Sequence, residues 1–182
     1  VTPDVITFAG NGEPTLHPDF EYIISDTIVT RDALCPKAKI AVLSNATQLH
    51  KESVCRALNR VDDNILKIDS VLDSRIRQID RPHASGFGFA QLLEQLKRFD
   101  GNLMIQTMFL KGDVDGQSVN NMTEEEITGW LDALRQIAPK QVMIYTIDRE
   151  TPAKGLLKAT HEELDGIAER VRQAGFNVSV SY

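Results

Sequence analysis

The 182-residue sequence predicts an α/β fold: a mostly parallel sheet with helices outside it. Three observations lead there. Short apolar runs rich in β-branched residues alternate with stretches of helical periodicity along the chain. The runs are continuous rather than strictly alternating, as in strands covered on both faces. Helix starts and stops are marked between them by capping residues and glycine.

The first strand is expected at Val5–Phe8, running into the turn Gly10-Asn-Gly-Glu-Pro14, where Gly10 and Gly12 allow close backbone approach and Pro14 stiffens the exit. A helix follows at Phe20–Ile28, then a strand at Lys39–Leu43, a helix at Glu52–Leu58 and a strand at Ile65–Ile68. Another helix is expected at Phe89–Phe99 and a strand at Met104–Phe109. The polar stretch Lys111 to Asn121 is expected as a loop, either a mobile rim or plain surface. Helix Glu124–Ile137, strand Gln141–Ile147, helix Glu162–Ala174 and strand Phe176–Val180 complete the series. Thr123 and Thr160 each stand three residues ahead of a glutamate, Glu126 and Glu163, as in a capping box. Gly175 is a left-handed stop, and Trp130 with the helical Leu and Ile residues belongs to the core.

Composition is that of one soluble domain, 1–182, without low-complexity linkers or internal repeats. No run is long and apolar enough to span a bilayer, so no membrane partner is expected, and a cytoplasmic location is. A formal net charge of −6 does not indicate nucleic acid, whose phosphates need clustered Lys and Arg. His17, His50, His83 and His161 are dispersed and form no metal-ligand spacing, so no protein-built metal site is expected. His17 is placed to shape the loop after Glu13, and His161 to sit solvated at a helix start. Cys35 and Cys55 are expected as reduced, structural thiols.

Function in such folds gathers at the C-terminal ends of the strands. Polar residues stand there in five places: Glu13; Ser44 and Asn45; Lys67 and Asp69; Gln106 and Lys111; and Thr146, Asp148 and Arg149. Lys67 suits a ligand carboxylate and equally a surface pair with Asp69. Gln106 interrupts an apolar strand, where a buried amide without partners costs about 1–3 kcal/mol. Arg149 suits bidentate anion binding and equally a loop salt bridge.

The string Gly10-Asn-Gly-Glu-Pro-Thr-Leu-His-Pro18 resembles the glycine-glycine-glutamate motif of the radical S-adenosylmethionine (SAM) superfamily. Resemblance continues at Val42-Leu-Ser-Asn-Ala-Thr47, Leu66-Lys-Ile-Asp-Ser70, Ile79-Asp-Arg-Pro82, Ile105 to Gly112, and Met143-Ile-Tyr-Thr-Ile-Asp-Arg149. It is nearest to uncharacterised Fe–S oxidoreductases similar to wyosine-type tRNA-modifying enzymes. The resemblance implies a partial (β/α) barrel of the radical SAM type. SAM would lie against Gly10, Gly12, Glu13, Pro14, Ser44, Asn45, Lys67, Asp69 and Gln106, with substrate at Tyr145, Asp148 and Arg149. Glu13 would bind the cofactor's amino group. Also implied are a [4Fe–4S] cluster, an electron donor such as flavodoxin or ferredoxin, and a 5′-deoxyadenosyl radical that abstracts hydrogen from a substrate left unidentified. The superfamily's Cys-x3-Cys-x2-Cys motif does not occur here, which implies a core lacking its first strand and cluster loop, inactive by itself. The alternatives are a non-catalytic α/β module binding a nucleotide or a partner, and a tRNA-modifying enzyme of the same superfamily.

Overall fold

The computed structural model describes residues 2–10, 12–82, 86–114, 116–148 and 153–182. Six parallel strands form the main sheet, in the order β1 (Val5–Phe8), β2 (Lys39–Ser44), β3 (Asp63–Lys67), β4 (Met104–Met108), β7 (Gln141–Tyr145) and β9 (Val178–Ser181). The crossovers carry α1 (Phe20–Leu34), α2 (Glu52–Leu58), α3 (Asp73–Ile79), α4 (Phe89–Lys97), α5 (Glu124–Ile137) and α6 (His161–Gln173). The order follows the chain, as successive βα units do.

The strands are not covered equally on both faces, contrary to the expectation from their apolar runs. Ile40, Val42, Leu66, Ile105, Val142 and Ile144 are buried against the helices, packed with Ile24, Leu58, Leu96, Trp130, Leu134 and Leu164. Leu43, Lys67, Gln106, Met143 and Tyr145, on the opposite face, are half-buried. Strand register sets Lys67 beside Gln106 and Gln106 beside Met143, so this face carries a row of side chains left open to a cleft. At the edge, Val5 is 45% exposed.

Several expected boundaries move. The first helix extends six residues beyond Ile28, to Leu34, and α3 was not foreseen. The polar stretch after β4 is not a loop. It forms β5 (Leu110–Val114) and β6 (Gln117–Asn120), joined by β8 (Leu156–Lys158) in a separate antiparallel sheet ordered β6-β5-β8. Gly112 is required there: its φ is +134° and a Cβ would fall 2.1 Å from the carbonyl oxygen of Gly155. Alternating polarity with a glycine hides such a short strand.

Both predicted caps form, in different ways. Thr160 accepts from the Glu163 amide and Glu163 returns a carboxylate oxygen to the Thr160 amide at 2.8 Å, closing the box. Thr123 likewise accepts from the Glu126 amide, but the Glu126 carboxylate goes elsewhere, taking Ser70 Oγ at 2.7 Å and the Val71 amide at 3.0 Å. Gly175 is left-handed with φ +93°, and the next amide reaches back to Val171 O, ending α6 as expected. Among the described residues no helix is long and apolar enough to cross a membrane.

Candidate functional site

Glu13 opens a 3-10 turn, Pro14–Leu16, in which Pro14 occupies the start where no amide is needed. Its carboxylate collects four donors. Oε1 accepts from the Thr15 amide at 3.1 Å, from the Thr15 hydroxyl and from Ser44 Oγ at 2.8 Å, while Oε2 accepts from the Asn45 amide at 2.7 Å. The half-buried side chain therefore ties the turn after β1 to the end of β2. Oε2 keeps acceptor capacity, since a carboxylate oxygen offers two lone-pair sites. Ser44 is buried and lines the cleft; its hydroxyl donates to Glu13 and accepts from the Ala46 amide at 3.1 Å, so it positions the glutamate. Ala46 is buried with φ +63°, a left-handed geometry that holds this bend of the chain.

Gly10 and Gly12 flank an open space. A Cβ at either would meet no atom within 4 Å, so packing within the chain does not demand glycine there. His17 shapes the turn as expected, its Nδ1 accepting from the Asp19 amide at 3.1 Å.

Beyond Asn45, the end of β3 brings Lys67 and Asp69 together. Asp69 is fully shielded from solvent; Oδ1 accepts from the Met108 amide at 2.8 Å and Oδ2 lies 2.5 Å from Lys67 Nζ. Asp80, at the end of α3, approaches the same ammonium at 3.6 Å. Burial opposes the Lys67 charge, but Asp69 and Asp80 more than offset it, so the amine is held as an ammonium well above the ordinary lysine range. Burial, with Asp69 beside it, pushes the Asp80 carboxyl up to about 8. Burial also raises the Tyr145 phenol, against the opposing pull of Lys67.

These residues enclose a continuous recess. A cleft of about 440 Å³ is lined by Gly10, Gly12, Glu13, Lys67, Gln106 and Tyr145, among others. A larger cavity of about 850 Å³ shares Glu13, Asn45 and Lys67 with it and extends past Asp69 and Asp80 to Phe87, Gln91 and Gln95 on α4 and the segment before it. Pro14 lines a shallower surface cavity with Leu16 and His17. Gln106 is half-buried at the cleft, so the burial penalty considered for its amide does not arise.

Other candidates fall outside. Lys111 lies in the small sheet, paired with Glu163 at 2.5 Å. Thr146 is buried and structural, donating to Phe109 O and accepting from the Ala159 amide. Asp148 is exposed and lines none of these recesses, and Arg149 lies outside the described residues. Sequence pattern gives Asp80 no role, because only α3 carries the Asp-Arg-Pro run to the side of Lys67.

The thiols do not suit an iron–sulfur cluster. Cys35 caps α1 at the edge where β2 begins, opposite the recess. Cys55 is buried in α2, its thiol donating to Leu49 O at 3.2 Å and pushed up in pKa by burial. Among the described residues no three His, Cys, Asp or Glu side chains gather to hold a metal ion.

No family model matches the sequence. A UPF0026 protein of Synechocystis sp. is 31% identical over 153 residues, 82% of this chain and 52% of that protein. A UPF0026 protein of Helicobacter pylori is 28% identical over 165 residues, 88% of this chain and 49% of its own length. The chain thus spans about half the length of these relatives. A protein named GTPase Obg, from Brachyspira hyodysenteriae, is 26% identical over 166 residues, 22% of its length. Among solved structures, a domain of pyruvate-formate lyase-activating enzyme from Bacteroides vulgatus superposes with a TM-score of 0.68 at 15% identity, over 97% of this chain and 98% of that one. Streptococcus suis SuiB bound to S-adenosylmethionine gives 0.69 at 16% identity, over 98% of this chain and 39% of that one. A radical SAM methyltransferase from Sphaerobacter thermophilus gives 0.71 at 16% identity, over 98% and 51%. The chain is therefore an α/β protein with the fold of radical SAM domains.

Proposed function

We propose that this chain is a SAM-binding core of the radical SAM type, acting within a protein longer than itself. The observation that carries the proposal is the Glu13 carboxylate, clamped by four donors at a strand end with Oε2 still able to accept, beside an open space bounded by two glycines. An α-ammonium of SAM suits that oxygen. Lys67, held charged by the shielded Asp69, suits a carboxylate, while Gln106 and Tyr145 offer acceptors and donors for ribose and adenine.

Clamping Glu13 and Lys67 in advance means that binding orders few side chains, which favours affinity and fixed orientation. With its amine kept protonated, Lys67 serves as a cation and not as a nucleophile toward carbonyls. A [4Fe–4S] cluster would supply the reducing electron for SAM cleavage. The two thiols here do not fit that cluster, so cleavage is assigned to the longer protein, with an electron donor such as flavodoxin or ferredoxin. A phosphate-binding module is disfavoured, because the Thr15 and Asn45 amides that would greet an anion already serve the Glu13 carboxylate.

The test is made on a full-length relative-sized protein carrying this segment, reconstituted anaerobically with iron and sulfide. Formation of 5′-deoxyadenosine from SAM under reductant, falling at least 100-fold in Glu13→Ala, is expected. An iron-loaded protein that yields no deoxyadenosine would overturn the proposal.

A further inference from the structure

Three ionisable side chains from two parts of the fold meet at the wall of the larger cavity, and one of them, Lys67, also lines the smaller cleft. Lys67 comes from β3, Asp69 from just beyond it, and Asp80 from the C-terminal end of α3. Their side chains are 27%, 0% and 25% exposed. Two carboxylates then face one ammonium in a space with little water, and full ionisation would leave one negative charge in excess. Such a pair keeps a proton longer than either carboxylate alone. Burial and the charge of Asp69 raise Asp80 to about 8.

The position of Asp80 is built by the fold. Helix α3 is pinned to the small sheet by Arg75 Nη1 donating to Ser118 O at 2.7 Å and by Gln78 Nε2 donating to Gln117 Oε1 at 3.0 Å. Directly after Asp80, Arg81 adopts φ +45°, a costly conformation for a residue with a Cβ. The chain turns sharply there, and Asp80 is left at the cavity.

We propose that Asp80 is a positioning residue for Lys67, one that sets how much of the lysine's charge remains for an anionic group of a ligand in the recess. The inference rests on the ligand-binding role proposed above. With Asp80 protonated, Lys67 has one ionised partner, Asp69, and its remaining N–H donors face no competing carboxylate. With Asp80 ionised, the trio is net negative and a ligand carboxylate is repelled. Facing Asp80 across the recess are Lys67 and Asp69 from β3 and the residues beyond it, and Tyr145 from β7. Arg81, next in the chain, and Glu13 and His50 line the same cavity. Tyr145, raised by burial, stays neutral through this range. Affinity for a carboxylate-bearing ligand is therefore full below about pH 7 and falls as pH rises through 8.

The test titrates the chain with SAM from about pH 6.5 to 9, in wild type and Asp80→Asn, and follows Asp80 Cγ and Lys67 Nζ by NMR without ligand. Asparagine matches the neutral carboxyl in size and charge. Wild-type affinity is expected to drop about tenfold more than that of Asp80→Asn across this range, the comparison cancelling titration of SAM's own amine. Asp80→Asn should bind at least as tightly at pH 7. Weaker binding by Asp80→Asn with an unchanged pH profile, or an Asp80 Cγ that titrates near pH 4, would overturn the inference. If SAM binds to neither form, the proposed function fails, and the Lys67 Nζ signal decides the present inference alone. An inflection near pH 8 that vanishes in Asp80→Asn upholds it, and the lack of one overturns it.

Discussion

Glu13 and Lys67 stand at neighbouring strand ends of one recess and are held in place by opposite means. Glu13 is surrounded by neutral donors, two amides and two hydroxyls, supplied within a few residues of the turn and of β2. Lys67 is surrounded by charge, one carboxylate beside it in sequence and one delivered by α3. Neutral donors satisfy a carboxylate without creating a surplus charge, so the first cluster is stable wherever Glu13 is ionised. The second carries a carboxylate too many and responds to pH. The contrast separates a local clamp from one assembled by tertiary structure.

The largest effect is expected from removing the cation. Lys67→Ala leaves Asp69 buried without its counter-ion, and loss of one partner of such a pair costs about 3–5 kcal/mol, to be read by chemical denaturation. A loss below 1 kcal/mol would show that the second cluster is no more charge-dependent than the first. Glu126→Ala removes a buried carboxylate that accepts from Ser70 and Val71 and approaches Arg75 Nε at 3.7 Å. It should cost about 2–3 kcal/mol and disturb Lys67 more than Glu13, because the 70–72 turn leads from Asp69 into α3. NMR shifts at the two strand ends would separate these effects.

Stability should also depend on pH through Asp80. Its carboxyl titrates near 8 when folded and near 3.8 when unfolded, so between these values the folded chain holds a proton that the unfolded chain has lost. Stability from this group is complete below about pH 4 and declines as pH rises to 8. Asp80→Asn should flatten that slope and stabilise the protein at pH 8 by about 1–3 kcal/mol. Unchanged pH dependence would remove the surplus charge from the account. Smaller still, Thr160→Ala should cost about 1 kcal/mol through the α6 capping box and leave both clusters unaltered. Lys111→Ala, which among the described residues breaks the pair with Glu163, should leave SAM affinity unchanged.

The same contrast explains what was legible in the sequence. Val5–Phe8, the glutamate turn and α5 and α6 announce themselves through local patterns, and all the main-sheet strands were found to within two residues or so. Glu13, Ser44 and Asn45 sit where chain order alone brings successive strand ends together. The small sheet was hidden because β5 and β6 are short, polar and broken by Gly112 and Gly116, features shared with loops. Asp80 was hidden because its meeting with Lys67 depends on α3 being pinned to that small sheet. Glu126 likewise satisfied a capping pattern while its carboxylate served the distant Ser70. Local signals reveal backbone hydrogen bonding, whereas the destination of a buried charge depends on contacts many residues away.

The central claim, that the Glu13 edge of the sheet binds SAM, is tested most directly by calorimetric titration of the chain with SAM, in wild type and Glu13→Gln at pH 7. Glutamine keeps the size and one acceptor but loses the charge for an ammonium. Saturable one-to-one binding that weakens at least tenfold in Glu13→Gln, with the fold intact by circular dichroism, is the predicted result. Equal affinity in both forms, or no binding by the folded wild type, would contradict it.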